Sequence, residues 1–367
     1  MQFQNAFKGK KVLITGHTGF KGSWLSLWLV RLGADVIGIS DQIPTTPSNF
    51  QASQVFDQIH DYRLDIMDFE AVNAVFSKHN PDFVFHLAAQ ALVYPAYEKP
   101  VRTLTVNSIG TVNILEAIRQ AVKPIVAIMI TSDKAYDNVE WVWGYKETDR
   151  LGGKDPYSAS KGMAELAIKT YVESYFKNPG EGVRIGIARA GNVIGGGDWA
   201  EKRIVPDCME AWRENKIVDI RSPEATRPWQ HVLEPLSGYL TLGVALNNDP
   251  NLHGQAYNFG PPANQDYSVR NLIDEMSLSW GNVRWNDTSK DIKHLHEAGL
   301  LKLNCDKAHF DLDWLPTMEF QETVKMTVDW YKAFYEGGGV EMQEFTYSQI
   351  DDYTKIAGDR SRKWAAH

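Results

Sequence analysis

Near its start the chain reads Lys11-Val-Leu-Ile-Thr-Gly16-His-Thr-Gly19-Phe-Lys-Gly22, so three glycines follow a short apolar run and open a helical pattern. A turn this tight needs residues that tolerate a positive φ, and a pyrophosphate approaches the backbone closely only where no Cβ intervenes. The N-terminus of the following helix offers free N–H groups and a positive dipole end to the anion. The stretch predicts a strand, a dinucleotide-binding turn and a helix, although a glycine triplet alone also fits a turn without a ligand.

The alternation of strand and helix patterns continues to about residue 190. Short β-branched runs predict strands at residues 11–15, 35–40, 62–65, 83–87, 125–130 and 184–188. Helical periodicity predicts helices at residues 22–32, 68–79, 103–121 and 158–176. Strands that alternate with helices form βαβ units. The expected fold class is therefore α/β, with a Rossmann-type doubly wound parallel sheet.

Beyond residue 190 the alternation weakens and glycines cluster at positions 195–197. Helices are predicted at residues 205–214, 233–246, 269–279 and around 320–335, with short strands at 217–221 and 256–259. We expect residues 1–190 to form the dinucleotide-binding Rossmann domain, which also receives parts of 230–262. Residues 191–367 are expected to form a smaller, mixed α/β substrate-binding domain that is interleaved with the first.

Composition excludes several classes of protein. With 43% apolar and 23% charged residues, the 367-residue chain is neither disordered nor fibrous. A net charge of −8 argues against nucleic acid as a partner. The two cysteines, Cys208 and Cys305, have no metal-ligand or disulfide spacing, so no metal is expected and a reducing compartment fits best. No apolar run approaches a membrane span or a signal sequence, so we expect a cytoplasmic protein without membrane contact.

Acidic residues stand where a bound dinucleotide would place its adenosine. Asp41 follows the second predicted strand, where a carboxylate accepts hydrogen bonds from the ribose and repels a 2′-phosphate, which favours NAD over NADP. Alternatively, Asp41 only opens a turn and Ser40 takes the ribose position. Asp65 and Ile66 end the third strand and are placed to meet the adenine edge, although Asp65 also fits a carboxylate beside a helix N-cap.

A second motif, Tyr157-Ser-Ala-Ser-Lys161, puts a phenol and an ammonium on one helix face. The lysine charge favours the phenolate, so the tyrosine is expected to take a hydroxyl proton near neutral pH. Taken alone, the pattern also fits a solvated helix face. Together with the glycine turn it resembles the extended short-chain dehydrogenase/reductase superfamily over most of the chain.

The resemblance implies site residues beyond these motifs, and it makes Asn107 a structural residue. The implied cofactor-binding residues are Gly16, Thr18, Gly19, Phe20, Lys21, Gly22, Asp41, Asp65, Ile66, Leu87, Ala88, Ala89, Tyr157, Lys161 and Ala190, and the implied substrate-binding residues are Gln90, Asn192, Arg203 and Arg227. Of these, Arg227 matches a motif whose arginine binds the substrate diphosphate, a task that suits a planar guanidinium.

The segment Thr131-Ser-Asp-Lys134 separates the reactions of the superfamily. It resembles the nucleotide-sugar 4,6-dehydratases, in which an acid at the position of Asp133 protonates the departing C6 hydroxyl. Lys134 stands where the thymidine-diphosphate-glucose enzymes carry a glutamate base. With Trp143-Gly-Tyr-Lys-Glu, Leu151-Gly-Gly and Arg227-Pro-Trp-Gln-His, this replacement resembles the CDP-D-glucose 4,6-dehydratases. The run Tyr94-Pro-Ala departs from the pattern, which has arginine and serine there.

The resemblance implies NAD as cofactor and the conversion of CDP-D-glucose to CDP-4-keto-6-deoxy-D-glucose and water, in the synthesis of lipopolysaccharide deoxysugars. In this mechanism Tyr157 is the base, Lys161 supports it, Ser132 binds O4 and Asp133 is the acid. Lys134 either accepts the C5 proton, if its pKa is lowered, or stabilises the enolate as a charge. A 4-epimerase, a dehydratase for another nucleotide and a catalytically silent NAD-binding scaffold are the alternatives.

Assembly is predicted from two helices with more apolar surface than one sheet-facing stripe requires. Residues 103–121 contribute Leu104, Val112, Leu115 and Ile118, and residues 158–176 contribute Met163, Leu166, Tyr171 and Tyr175. Because superfamily relatives pair these helices across a twofold axis, we expect a homodimer or a larger assembly such as a tetramer.

Overall fold

The computed structural model describes residues 2–178, 180, 182–262, 265–289 and 300–366. Its strands are β1 (Lys11–Thr15), β2 (Asp35–Ser40), β3 (His60–Arg63), β4 (Phe83–His86), β5 (Val126–Ile130), β6 (Arg184–Ala190), β7 (Val193–Ile194), β8 (Val218–Ile220), β9 (Thr226–Arg227), β10 (Gln230–His231), β11 (Ala256–Phe259), β12 (Tyr267–Ser268) and β13 (Trp285–Asp287). Its α-helices are α1 (Phe20–Arg31), α2 (Asn49–Ala52), α3 (Phe69–His79), α4 (Val93–Glu98), α5 (Pro100–Arg119), α6 (Pro156–Tyr175), α7 (Ile204–Arg213), α8 (Leu233–Asn248), α9 (Val269–Trp280), α10 (Asp306–Leu312), α11 (Phe320–Glu336) and α12 (Met342–Asp359).

The central sheet has seven parallel strands in the order β11-β6-β5-β4-β1-β2-β3. This arrangement confirms the α/β class and the doubly wound parallel sheet. The chain proceeds outward from β1 in one direction through β2 and β3, and in the other through β4, β5 and β6. Such a reversal leaves a crevice at the carboxyl ends of β1 and β4, where ligands bind in open α/β sheets.

Apolar side chains cover both faces of the sheet. Val12 and Ile14 of β1 belong to the core that contains Trp24 of α1, whereas Leu13 faces the core that contains Ile114 of α5. A strand buried on both faces reads as a continuous apolar run, which is why β1 was visible in the sequence.

The second region of the sequence returns to the sheet before the chain ends. After β6 the chain forms β7 to β10, α7 and α8, and β11 then pairs with β6 through Ala256–Phe259. Helix α8 packs against β5 and β6. The chain thus returns to the sheet at β11, while the division into two domains stays a prediction. Across the described ranges, no helix is both long and apolar enough to span a membrane.

A buried histidine in the sheet, His86, is expected to make the folded protein less stable in acid. His86, at the end of β4, lies 2.7 Å from the Thr15 hydroxyl and 3.0 Å from the Thr111 hydroxyl. Burial lowers the pKa of His86 to about 3. Folded His86 resists protonation, whereas His86 in the unfolded chain binds a proton below about pH 6.5. The contribution of His86 to the free energy of unfolding is therefore fully present above pH 6.5 and is lost as the pH falls from 6.5 toward 3. By linkage, His86 alone lowers the free energy of unfolding by about 2 kcal/mol between pH 7 and pH 5.

Urea unfolding at pH 7 and pH 5 measures this effect. We expect His86→Asn to have a smaller difference in unfolding free energy between the two pH values than the parent. His309→Asn is the control because His309 is exposed. An unchanged pH difference in His86→Asn would contradict the assignment.

Candidate functional site

The glycine-rich turn joins the end of β1 to the start of α1. Gly16 has a φ of +79°, which L side chains rarely adopt. A Cβ on Gly16 would lie 2.7 Å from the backbone nitrogen of Ala88, and a Cβ on Gly22 would lie 2.0 Å from the carbonyl oxygen of Gly16. Glycine at these positions lets the turn, the loop after β4 and α1 approach each other. The N-terminus of α1 therefore opens directly onto the crevice.

The end of β2 carries the two candidates for the ribose position. Ser40 is buried, and its hydroxyl lies 3.0 Å from Nδ1 of the buried His17. Asp41 is exposed and lines the crevice, where Nη2 of Arg102 lies 3.6 Å from its Oδ2 and 3.9 Å from Oδ2 of Asp65. Both residues line the crevice, so the choice of Asp41 for the ribose stays a prediction.

Asn107 holds the loop after β4 against α6. Its Oδ1 accepts the N–H of Gln90 at 2.7 Å, and its Nδ2 donates to the Gln90 carbonyl at 3.0 Å and to the Ser160 hydroxyl at 2.8 Å. The side-chain amide of Gln90 is bonded at both ends to the backbone of Leu92. Gln90 thus lies in the crevice wall with its amide tied to its own loop, and its contact with substrate stays a prediction.

The turn after β5 carries three of the predicted catalytic residues. Ser132 Oγ accepts the N–H of Lys134 at 3.2 Å and donates to Asp133 Oδ1 at 2.9 Å. Asp133 is 3% exposed, and its Oδ2 has no hydrogen-bond partner within the described part of the chain. An unpaired buried oxygen costs free energy. Asp133 therefore keeps one unused acceptor oxygen beside the crevice, and its contact with a ligand stays a prediction.

Tyr157 and Lys161 lie one turn apart on α6, with the lysine nitrogen 6.0 Å from the centre of the tyrosine ring. Burial raises the pKa of Tyr157 to about 12, and a hydrogen bond with Ser132 opposes this only in part. Burial also lowers the pKa of Lys161 to about 8. Burial thus disfavours the phenolate, and the expected role of Tyr157 as proton acceptor, supported by the Lys161 charge, stays a prediction.

A buried ion pair supports the floor of the site. Arg189 on β6 donates its Nε–H to Glu165 of α6 at 2.7 Å and its Nη1–H to the Tyr136 hydroxyl at 2.7 Å. The Thr131 hydroxyl donates to the same Glu165 oxygen at 2.7 Å. These bonds fix the end of β5 relative to the helix that carries Tyr157 and Lys161.

The opposite wall comes from residues after β6 and carries four cations together with the carboxylates of Asp198, Glu201, Asp207 and Asp219. Arg203 precedes α7, and its Nη1 lies 2.8 Å from Asp198 Oδ2. Arg227 lies in β9. Two further cations, Lys202 and Arg221, line the same wall. The sequence interpretation missed these two, although Arg221 ended a predicted strand.

The two walls enclose a cleft of about 980 Å³. It brings together all the residues that the sequence interpretation selected: Gly16, Thr18, Gly19, Phe20, Lys21, Gly22, Asp41, Asp65, Ile66, Leu87, Ala88, Ala89, Gln90, Ser132, Asp133, Lys134, Tyr157, Lys161, Ala190, Asn192, Arg203 and Arg227. Arg102, which lies beside Asp41 and Asp65, was also missed, because nothing in the sequence separates it from other helical arginines.

A profile of the family described as GDP-mannose 4,6 dehydratase matches residues 13–327. The chain belongs to the GDP-mannose 4,6 dehydratase family. This membership confirms the resemblance to the extended short-chain dehydrogenase/reductases.

Similar proteins include both dehydratases and epimerases. The chain is 44% identical over 355 residues to the CDP-glucose 4,6-dehydratase of Salmonella typhimurium, covering 95% of this chain and 98% of that protein. It is 25% identical to the dTDP-glucose 4,6-dehydratase of Shigella flexneri, covering 88% and 93% of the two chains. A UDP-glucose 4-epimerase from Thermus thermophilus, solved in complex with NAD, superimposes with a TM-score of 0.73 at 25% identity, covering 90% of this chain and 100% of that one. Members of the GDP-mannose 4,6 dehydratase family thus share this architecture with epimerases.

Proposed function

We infer that this chain is an NAD-dependent CDP-D-glucose 4,6-dehydratase, which forms CDP-4-keto-6-deoxy-D-glucose and water for deoxysugar synthesis. The observation that carries this inference is the 44% identity, over nearly the full length, to the CDP-glucose 4,6-dehydratase of Salmonella typhimurium. Ser132, Asp133, Tyr157 and Lys161 line one cleft, as this chemistry requires. A cytoplasmic location stays a prediction.

The residues of the cleft fit NAD. The glycines let the turn, the loop after β4 and α1 pack without a Cβ between them, and the N-terminus of α1 faces the cleft. The Asp41 carboxylate is placed to accept hydrogen bonds from a ribose and to repel a 2′-phosphate. When bound, NAD supplies a hydride acceptor at the sugar C4, a hydride donor at C6 and a positively charged ring.

Tyr157 and Asp133 carry out the proton transfers of the first and second steps. As a phenolate, which the charges of Lys161 and of the bound nicotinamide ring would favour, Tyr157 accepts the proton of the C4 hydroxyl, and the Ser132 hydroxyl orients that oxygen. The resulting 4-ketone acidifies the hydrogen at C5. Asp133 then donates a proton to the C6 hydroxyl, so that the C6–O bond breaks and water leaves.

Lys134 has one of two roles at C5. A neutral amine would accept the C5 proton and later return it to the same carbon. An ammonium would instead stabilise the enolate oxygen, and the C5 proton would then pass to a water molecule in the cleft. Lys134 lines the cleft beside Asp133, which is compatible with both roles.

The experiment that tests the function follows a label. CDP-D-glucose carrying deuterium at C4 is expected to give a 4-keto-6-deoxy product with deuterium at C6, without release of reduced cofactor. The reason is that the closed site must protect the intermediates from water until the sequence is complete. A 4-epimerase would leave the deuterium at C4, and a silent scaffold would form no product. Deuterium lost to solvent would also contradict the assignment.

We also propose a homodimer or a larger assembly built on α5 and α6. Leu115 and Ile118 are buried against the sheet, so their predicted place on the outer face is wrong. The exposed apolar side chains of these helices are Val101, Ile109, Met163, Leu166 and Tyr175. They supply the uncovered surface that an association between two copies would bury.

Light scattering at micromolar concentration tests this assembly. We expect a mass of at least two chains for the parent and a shift toward the monomer for Leu166→Asp, because burial of the new carboxylate is unfavourable. Leu278→Asp is the matched control, since Leu278 is exposed on α9. A monomeric parent, or equal effects of both variants, would refute the proposed interface.

A further inference from the structure

Tyr94 stands where the sequence departs from the pattern of its relatives, and cations surround it. Its side chain lines the cleft from α4. The Lys202 ammonium nitrogen lies 4.2 Å from the centre of the Tyr94 ring, and the guanidinium carbon of Arg221 lies 5.5 Å from it. Nη1 of Arg221 also donates a hydrogen bond to the Tyr94 hydroxyl. Tyr94 on α4 thus contacts two cations that belong to the residues after β6.

The backbone of Lys202 is fixed independently of Tyr94. Lys202 has a φ of +62°, an uncommon conformation for a residue with a Cβ. Its N–H donates to the Asp207 carboxylate at 3.2 Å. The neighbouring Arg203 is paired with Asp198 at 2.8 Å. Only the long side chain of Lys202 remains to be ordered, and the Tyr94 ring contacts its end.

An aromatic ring suits this position for an electrostatic reason. Lys202 and Arg221 repel each other, whereas the π-face of a tyrosine attracts both cations. An arginine in place of Tyr94 would add a third positive charge. The Arg221 guanidinium has five N–H donors. The hydrogen bond from one of them to the Tyr94 hydroxyl fixes the orientation of the whole group.

We propose that Tyr94 is a positioning residue for the substrate diphosphate, because it holds Lys202 and Arg221 in place before the nucleotide sugar binds. Ordering these long side chains in advance removes part of the entropy cost of binding. Arg227 and Arg203, which is paired with Asp198, line the same cleft and are the further cations that a diphosphate can meet there. The identity of the substrate rests on the proposed function, but recognition of the diphosphate can be measured without turnover.

Calorimetric titration with CDP and with cytidine separates the diphosphate from the nucleoside. We expect Tyr94→Ala to weaken CDP binding about tenfold and Tyr94→Phe, which keeps the ring, about threefold. Cytidine affinity should change by less than about twofold, because cytidine carries no charge for the cations to meet. In turnover of CDP-D-glucose, KM should rise by the same factors while kcat stays constant.

Tyr347→Phe is a matched control. Tyr347 lies on α12 outside the cleft lining, with Arg31 over its ring at 5.4 Å and its hydroxyl donating to Gln58 at 2.6 Å, so it also combines a cation–π contact with a hydrogen-bonded hydroxyl. Its replacement should leave CDP affinity unchanged. Unchanged CDP affinity in both Tyr94 variants, or equal losses for CDP and cytidine, would overturn the proposal. If the parent forms no 4-keto product but the binding pattern holds, the proposed function fails and the positioning role stands.

Discussion

Tyr157→Phe is expected to lower the rate of CDP-D-glucose turnover by about 10²- to 10⁴-fold, the usual contribution of a general base. The variant loses the oxygen that accepts the C4 proton but keeps the ring and its packing. Tyr157 is only 8% exposed, so bulk water cannot readily replace the lost base. Because oxidation comes first, mixing this variant with substrate should give no absorbance of reduced nicotinamide.

Tyr171→Phe controls for loss of a hydroxyl on the same helix. Tyr171 lies on α6, and its hydroxyl donates to Glu116 at 3.4 Å. Both variants should unfold at temperatures close to that of the parent, and Tyr171→Phe should retain activity. Turnover by Tyr157→Phe within about tenfold of the parent would show that another group is the base.

Asp133→Asn is expected to stop the reaction at a later stage. An amide has nearly the same shape as the carboxyl group but cannot protonate the departing C6 hydroxyl. We expect oxidation at C4 to proceed and elimination to slow by about 10²-fold or more. Reduced nicotinamide should therefore accumulate on the enzyme after mixing in a stopped-flow instrument.

Asp137→Asn is the control from the same loop. Asp137 is partly exposed and lies 3.7 Å from Arg150, so its loss should leave the time course unchanged. An unaltered elimination rate in Asp133→Asn would remove Asp133 from the role of acid. Absence of any reduced nicotinamide would instead place Asp133 in the first step.

The sheet was predictable because each central strand is an apolar run between turn residues. The third strand was misplaced by two residues: β3 pairs with β2 from His60 opposite Ile37 to Arg63 opposite Ser40. Its own residues are mostly polar, so the sequence did not mark its start. Helix α12 was not predicted because Thr346, Gln349 and Thr354 on its buried face are polar, which weakens the apolar periodicity.

The motifs of the site were predictable for a different reason. Backbone geometry and helical spacing act over a few residues, so the glycine turn and the Tyr157–Lys161 pair are visible locally. The contacts of Tyr94 with Lys202 and Arg221 join segments more than 100 positions apart, as Arg221 and Tyr94 differ by 127. The raised pKa of Tyr157 likewise depends on burial by the whole fold, which no short motif encodes.

The return of the chain to the sheet at β11 has a consequence for protein synthesis. On the ribosome, β6 emerges with one edge unpaired, and that edge is covered only after Phe259 has left the exit tunnel. An unpaired strand edge invites association with other chains. The nascent polypeptide therefore exposes the unpaired edge of β6 while about 70 further residues are translated. This takes several seconds at ordinary elongation rates. Truncation before residue 256 should give insoluble protein rather than a free nucleotide-binding half.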